Sequence, residues 1–417
     1  MAQGKPFGNL PSGATSNVKP YELHIPEADV QNMKNLLKLC RLAGPVYENS
    51  MPGGKRTLGV RRDWLADAKQ TWETDFDWRA SESHMNSFPN FKAPVEDKTG
   101  TFEIHFLALI SSRVDAIPVI LLHGWPGSFL EFLPMLQLFK EKYTPETLPY
   151  HLVVPSIPGF TLSAMPLLDR DISQGDAARI LNKLMVNLGF GSGYVAQGGD
   201  IGSKVARILA VNHKEAKGKY HQLCIKLTER FTVNFCPMGR PASATDDSIL
   251  SEVEKKGLER GNTWKAGGNA YALEQATRPS TIGFVLSSNP LALLAWIGEK
   301  YLEWTDDPKP SLTSILESCS LYWLTGCAHS NLWSYRHSFG PGQLMAQDDP
   351  RYYIDKPFGF SYYPKETAPT PISWVATTGR LVWSKAHDKG GHFAALERPS
   401  EFVNDLEAFI GQVWSRK

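Results

Sequence analysis

The chain has 417 residues, 42% of them hydrophobic, with 44 Lys and Arg against 43 Asp and Glu. This length suits a large enzyme domain with an insertion, and the near-zero net charge removes the electrostatic footprint of a nucleic-acid or anionic-membrane binder. Five scattered cysteines (Cys40, Cys224, Cys236, Cys319, Cys327) form no CxxC pair, which speaks for free thiols in a reducing compartment and against a zinc site.

Residues 1 to about 20 are rich in Gly, Pro, Ser and Asn and read as an extended arm, with no apolar core of signal-peptide length. No run of 18 apolar residues follows anywhere, so the expectation is a soluble, cytoplasmic protein without a membrane anchor. Amphipathic helices are predicted over Ile25–Leu39, where Pro26 suits a first turn, and over Arg62–Asp75. The aromatic, turn-rich stretch Asp77–Phe91 closes a segment that packs on something else.

From residue 101 strands and helices alternate. Phe102–Leu109 reads as a strand, and Pro118–Leu122 and His151–Pro155 as buried parallel strands. A helix from Phe129 to Phe139 separates the latter two, and a helix over Ala177–Leu188 precedes a short strand at Tyr194–Ala196. This alternation specifies an α/β fold with a doubly wound, mostly parallel sheet. After the apolar stretch Tyr220–Leu227 the pattern becomes helical, over Ile249–Glu259, Asn269–Gln275, Leu291–Trp304 and Leu312–Leu324. Strand signals return at Phe358–Tyr363 and Ile372–Thr377, and a helix over Glu401–Val413 ends the chain. The predicted organisation is an amino-terminal extension at 1–95, a core at 96–234, an inserted α-helical lid at 235–340 and the rest of the core at 341–417.

The chemistry centres on Gly198-Gly-Asp-Ile-Gly202, a tight turn between strand and helix with Asp200 where such turns usually carry serine. A carboxylate is ionised at neutral pH and attacks an sp3 carbon without a base, leaving an alkyl ester to be hydrolysed. His392, in the late loop Gly390-Gly-His-Phe393, is positioned to act as base in the order nucleophile, acid, histidine. Glu366, after one strand and before the next, is the favoured orienting carboxylate, with Asp388 and Asp355 as alternatives. The backbone N–H groups of Trp125 and Ile201 are the candidate oxyanion hole.

His123-Gly-Trp-Pro-Gly-Ser128, Gly198-Gly-Asp-Ile-Gly-Ser203, Thr277-Arg-Pro-Ser-Thr-Ile-Gly283, Lys356-Pro-Phe-Gly-Phe360 and Gly390–Glu397 together resemble the α/β-hydrolase-fold epoxide hydrolases, in the soluble fungal form of the microsomal-type branch. Asp77-Trp-Arg and Met85-Asn-Ser-Phe-Pro89 resemble that branch's amino-terminal domain. The resemblance implies two lid tyrosines that donate to the epoxide oxygen, Tyr271 and Tyr335, and substrate contacts at His123, Gly124, Pro126 and Phe160. Tyr194, Tyr301 and Tyr322 read as packing. It further implies a small epoxide and water as reactants, a vicinal diol as product, a homodimer, and neither metal nor organic cofactor. A haloalkane dehalogenase shares the Asp nucleophile but asks for halide donors, and Ile201 follows Asp200 here. Ser203 lies outside the elbow, and an inactive binding module would not need the whole set.

Overall fold

The computed structural model of the chain describes residues 4–54, 58–164, 168–211, 228–337, 347 and 349–414. Strands β1 (Lys19–Tyr21), β2 (Asn90–Asp97), β3 (Gly100–Leu109), β4 (Ile117–Leu122), β5 (Tyr150–Pro155), β6 (Tyr194–Gly198), β7 (Thr228–Val233), β8 (Ile354–Tyr362) and β9 (Gly379–Ala386) form one sheet. Its order is β1-β2-β3-β5-β4-β6-β7-β8-β9. The pairs β1–β2, β2–β3 and β3–β5 are antiparallel, and every pairing from β5 across to β9 is parallel. The strands β4, β5 and β6 are buried at every residue, as apolar runs without alternation require when helices cover both faces. Their carboxyl ends therefore open side by side at one edge of the sheet, where an α/β fold gathers its reactive groups.

Helices α1 (Glu27–Leu39), α2 (Arg62–Thr74) and α3 (Trp78–Asn86) belong to the leading segment. Between the strands follow α4 (Leu133–Lys142), α5 (Gln174–Asn187) and α6 (Asp200–Val211). A helical layer then fills the interval between β7 and β8: α7 (Glu252–Gly267), α8 (Ala270–Thr277), α9 (Pro279–Ser288), α10 (Pro290–Glu303), α11 (Leu312–Leu324) and α12 (Trp333–Arg336). The short α13 (Ile372–Val375) and α14 (Ala394–Glu397) flank β9, and α15 (Pro399–Val413) packs back on the sheet.

The leading segment is tied both to the sheet and to the lid. β2 pairs with β3 from Asn90 to Asp97, across the position where composition suggests a boundary. On the other side, the fully buried Trp72 of α2 donates its indole N–H to Ser320 Oγ of α11 at 2.8 Å. Cys40 Sγ meets Asn289 Oδ1 at the start of α10 at 3.0 Å. The four cysteines among the described residues form no disulfide. No single helix among those residues is long and apolar enough to cross a membrane.

One predicted strand is a helix. Ile372–Thr377 forms α13 and a following turn, because Pro371 caps it and Glu254 accepts from the Ile372 N–H at 3.0 Å, removing that group from any ladder. The last strand is β9, whose half-exposed Leu381, Val382 and Trp383 lie at the sheet's edge and give a weak apolar signal. The stretch Tyr220–Leu227 lies outside the described residues.

The Trp72–Ser320 bond clamps the leading segment to the lid. Trp72→Phe is expected to lower unfolding free energy by about 1–3 kcal/mol, through the unpaired hydroxyl and lost packing, read from the urea midpoint. An unchanged midpoint would remove the clamp from the account.

Candidate active site

β6 runs straight into α6, and the turn between them forces Asp200 to φ +44°, a conformation that non-glycine residues rarely adopt. Two close approaches explain the flanking glycines. A Cβ on Gly202 would stand 2.2 Å from the Leu122 carbonyl oxygen at the end of β4, and one on Gly124 would stand 2.1 Å from Asp200 Oδ1. The local sequence thus lifts the Asp200 carboxylate above the strand ends while pressing it against the turn after β4.

That turn supplies its first partner. The Trp125 N–H donates to Asp200 Oδ1 at 2.8 Å, and the Ile201 N–H nearby also favours the ionised carboxylate. Burial works against ionisation, yet His392 and these two N–H groups outweigh it and hold the Asp200 pKa below its ordinary value. Asp200 is ionised at neutral pH.

His392 reaches this carboxylate from the far side. Its Nδ1 lies 2.5 Å from Glu366 Oε1, which also accepts from the Thr367 N–H and hydroxyl at 2.5 and 3.0 Å. Its Nε2 stands 3.4 Å from Asp200 Oδ2, an ion contact without the angle of a hydrogen bond. Burial disfavours a charged imidazole, but the Glu366 and Asp200 carboxylates on its two sides raise its pKa well above 6.5. The resting site therefore holds imidazolium between two carboxylates. Glu366 is buried beside His392, whereas the alternatives Asp388 and Asp355 are exposed.

The histidine loop is fixed by a carboxylate that sequence reasoning passed over. Glu397 accepts from the N–H groups of Gly391 and Phe393, on either side of His392, at 3.0 Å each. It also accepts from Asp306 N–H just past α10, at 2.7 Å, so one side chain joins the helical layer and the His392 loop. Burial lifts Glu397 to about 7 against the pull of these three N–H groups. Its signal in the sequence is only its place at the end of Gly390–Glu397.

The lid brings two phenols down on Trp125. Tyr271 of α8 stacks on the indole at 5.3 Å and 14°, and Tyr335 of α12 meets it edge-on at 5.7 Å. The two tyrosine rings are 5.9 Å apart, and each hydroxyl acts on the other's acidity. Burial above all, with the nearby Asp200 charge adding to it, keeps both phenols protonated well beyond pH 10. The other tyrosines are bonded elsewhere: Tyr301 to Ser318 Oγ at 3.0 Å, Tyr322 to the Gly127 carbonyl at 2.7 Å and Tyr194 to Asn182 Oδ1 at 2.9 Å. Ser203 is fully buried, donates to the Asp200 carbonyl at 2.6 Å and accepts from Gln347.

His123 faces away from this cluster. Its Nε2 accepts from the Ile157 N–H at 3.1 Å, its Nδ1 faces the Gly124 carbonyl at 3.1 Å, and the ring packs on Phe160 at 5.1 Å. Burial lowers it to about 4, so the ring is neutral and fastens the loop after β5 to the end of β4. Phe160 is fully buried in that contact, and the Trp125–Pro126 bond is cis.

Beneath Asp200 and His392 lies a small cavity lined by Gly124, Glu131, Gln197, Asn234 and Phe393, with room for about one water. Glu131 was not anticipated from the sequence; desolvation pushes its carboxyl up to about 8. Gln197 Oε1 is buried without a partner among the described residues, and its amide donates to Asn234 Oδ1 at 3.2 Å.

Residues 18–132 match the family model described as epoxide hydrolase N terminus, and residues 117–219 match that of the alpha/beta hydrolase fold. An inferred epoxide hydrolase of Dothistroma septosporum is 42% identical, over 99% of this chain and 94% of its own. Epoxide hydrolase 1 of Oryctolagus cuniculus is 29% identical, over 97% and 91%. The structure of Aspergillus niger epoxide hydrolase is similar with a TM-score of 0.89 and 47% identity, covering 98% of this chain and 100% of that one. Fold, sequence and the full length of the likeness agree: the chain belongs to the epoxide hydrolase family, built on the α/β-hydrolase fold.

Proposed function

We propose that this enzyme converts epoxides to vicinal diols through an ester on Asp200. The observation that carries the reading is the division of labour within one carboxylate. Oδ1 is held by the Trp125 N–H at 2.8 Å, while Oδ2 faces the His392 side, under the tyrosines that pack on Trp125.

In the first step Oδ2 attacks an epoxide carbon and the ring C–O bond breaks. Tyr271 and Tyr335 donate to the oxygen, and a phenol proton neutralises the alkoxide. The ester carbonyl oxygen is then Oδ1, already in the N–H pocket. In the second step His392, whose resting proton has gone to restore the phenol, takes a proton from water, and the hydroxide attacks the Asp200 carboxyl carbon. The Trp125 and Ile201 N–H groups hold the developing oxyanion, and collapse expels the diol as the imidazolium proton goes to the leaving oxygen; the proton of the new Asp200 carboxyl then passes to His392 and restores the resting ion pair. Glu131, Gln197 and Asn234 give a cavity water the polar partners it needs.

The charge arrangement also times the base. Imidazolium cannot accept a proton, but alkylation removes the Asp200 charge and with it one of the two attractions that hold the proton on His392. The base is thus released by the first step. A dehalogenase would have no use for the two phenols that pack on Trp125.

With His392→Gln, mixing with a terminal epoxide should leave an adduct of the whole epoxide mass on the Asp200 peptide. Wild-type diol formation without such an adduct would point to direct water attack. Tyr271→Phe and Tyr335→Phe should each slow ester formation by about 10- to 100-fold, since one phenol remains in each variant; equal rates would take the phenols out of the reaction. The His392 pKa is raised in the folded chain, so the stability it contributes is complete below pH 6.5 and is lost as pH rises through the raised value. Asp200→Asn should therefore move the His392 NMR titration to lower pH, and an unmoved titration would contradict the release of the base by alkylation.

A further inference from the structure

The first step sets a problem that Tyr271 and Tyr335 do not solve alone. A buried phenol near the Asp200 charge is a poor acid, and Glu366 and Glu299 add negative field around Tyr271. Something must offset the negative charge that develops on the ring side of the epoxide oxygen.

One cation is in place. Lys300 of α10 is 2% exposed, and its ammonium lies 4.7 Å from the Tyr271 ring centroid, 5.3 Å from that of Trp296 and 5.9 Å from that of Trp304. Trp296, Lys300 and Trp304 are spaced four residues apart, so they form one stripe along the helix. A lysine in such a stripe is costly to bury and is rarely found there without a partner. Glu299 Oε1 is 3.0 Å from Nζ, and Glu303 is the other carboxylate that acts on it; burial lowers the Lys300 pKa and both carboxylates oppose this. The Tyr271 ring also packs on Trp125 and on Trp304, at 5.3 and 5.1 Å. Ammonium over a desolvated aromatic face is worth more than at the surface, and it is worth more still when the ring carries phenolate charge.

We propose that Lys300 is a positioning residue of epoxide opening, holding the Tyr271 ring on Trp125 and offsetting the charge that ring acquires as its hydroxyl gives hydrogen to the epoxide oxygen. The inference rests on the ester mechanism and deepens it, because it assigns Tyr271 the phenol whose acidity is tuned. Lys300 acts on the first step only, since in the second no charge develops on Tyr271.

The test is rapid-mixing measurement of ester formation and ester hydrolysis in Lys300→Met, Lys300→Gln and Lys300→Arg, with two epoxides, 1,2-epoxybutane and 1,1,1-trifluoro-2,3-epoxypropane. The trifluoromethyl group makes the alkoxide less basic and less dependent on the phenol. Both neutral variants should lose about 3- to 30-fold in ester formation from epoxybutane, less from the fluorinated epoxide, with ester hydrolysis unchanged. Lys300→Arg should keep most of the wild-type rate, and in a Tyr271→Phe background the neutral variants should cost little more. Unchanged ester formation in the neutral variants would overturn the proposal. So would an equal loss for both epoxides that persists without the Tyr271 hydroxyl, since a purely structural lysine gives that result. If the wild type itself forms no ester, the mechanism falls and the role of Lys300 falls with it; if the wild type forms ester and the variants match it, only the lysine inference falls.

Discussion

Three charges in a row govern this site: Glu366, His392 and Asp200, with 2.5 Å on one side of the imidazole and 3.4 Å on the other. A buried carboxylate is costly unless it is paired and hydrogen-bonded, and both are. Oδ1 of Asp200 has the Trp125 N–H, Glu366 has Thr367, and the cation between them serves both. The rest of the structure supplies what this row requires. The turn after β4 brings an N–H, the strained elbow lifts one carboxylate, the loop after β8 brings the other, and Glu397 fixes the backbone on both sides of the histidine.

The lid is the second half of the site. Trp125 belongs to the core, yet Tyr271, Tyr335 and Trp304 all pack on it, so the phenols are located by an indole that also offers its backbone N–H to Asp200. One residue thus sets the distance between the Asp200 carboxylate and the two phenols. The leading segment holds the lid from outside through Trp72 and Ser320, while Glu397 and Asp306 hold it from below. An sp3 carbon attacked from one side and a ring oxygen protonated from the other need such a two-layer arrangement, because the groups must act on opposite ends of one breaking bond.

The sequence made the sheet centre legible because fully buried parallel strands are unbroken apolar runs, as in Ile117–Leu122 and Tyr150–Pro155. It made the elbow legible because close backbone approach demands glycine on both sides of Asp200. Edge elements were harder. β9 is half exposed, and Ile372–Val375 has strand-forming side chains in a helix that a proline cap and Glu254 determine. Of the site, the residues on loops with a motif around them were readable, including Glu366 over Asp388. Glu131, Glu397 and Lys300 were not, since each is placed by a neighbour distant in the chain: the cavity under Asp200, the Asp306 N–H and the Tyr271 ring. His123 shows the converse, a motif residue whose ring nitrogens both face backbone.

The most direct test of the central claim follows an oxygen atom. With enzyme in excess over a terminal epoxide, a single turnover is run in water enriched in oxygen-18, and both diol and peptides are weighed. An ester on Asp200 predicts an unlabelled diol, because its new oxygen comes from the carboxylate, and a label gained by the peptide carrying Asp200. Label in the diol of that first turnover, with none on the peptide, would show water attacking the epoxide directly and would contradict the account.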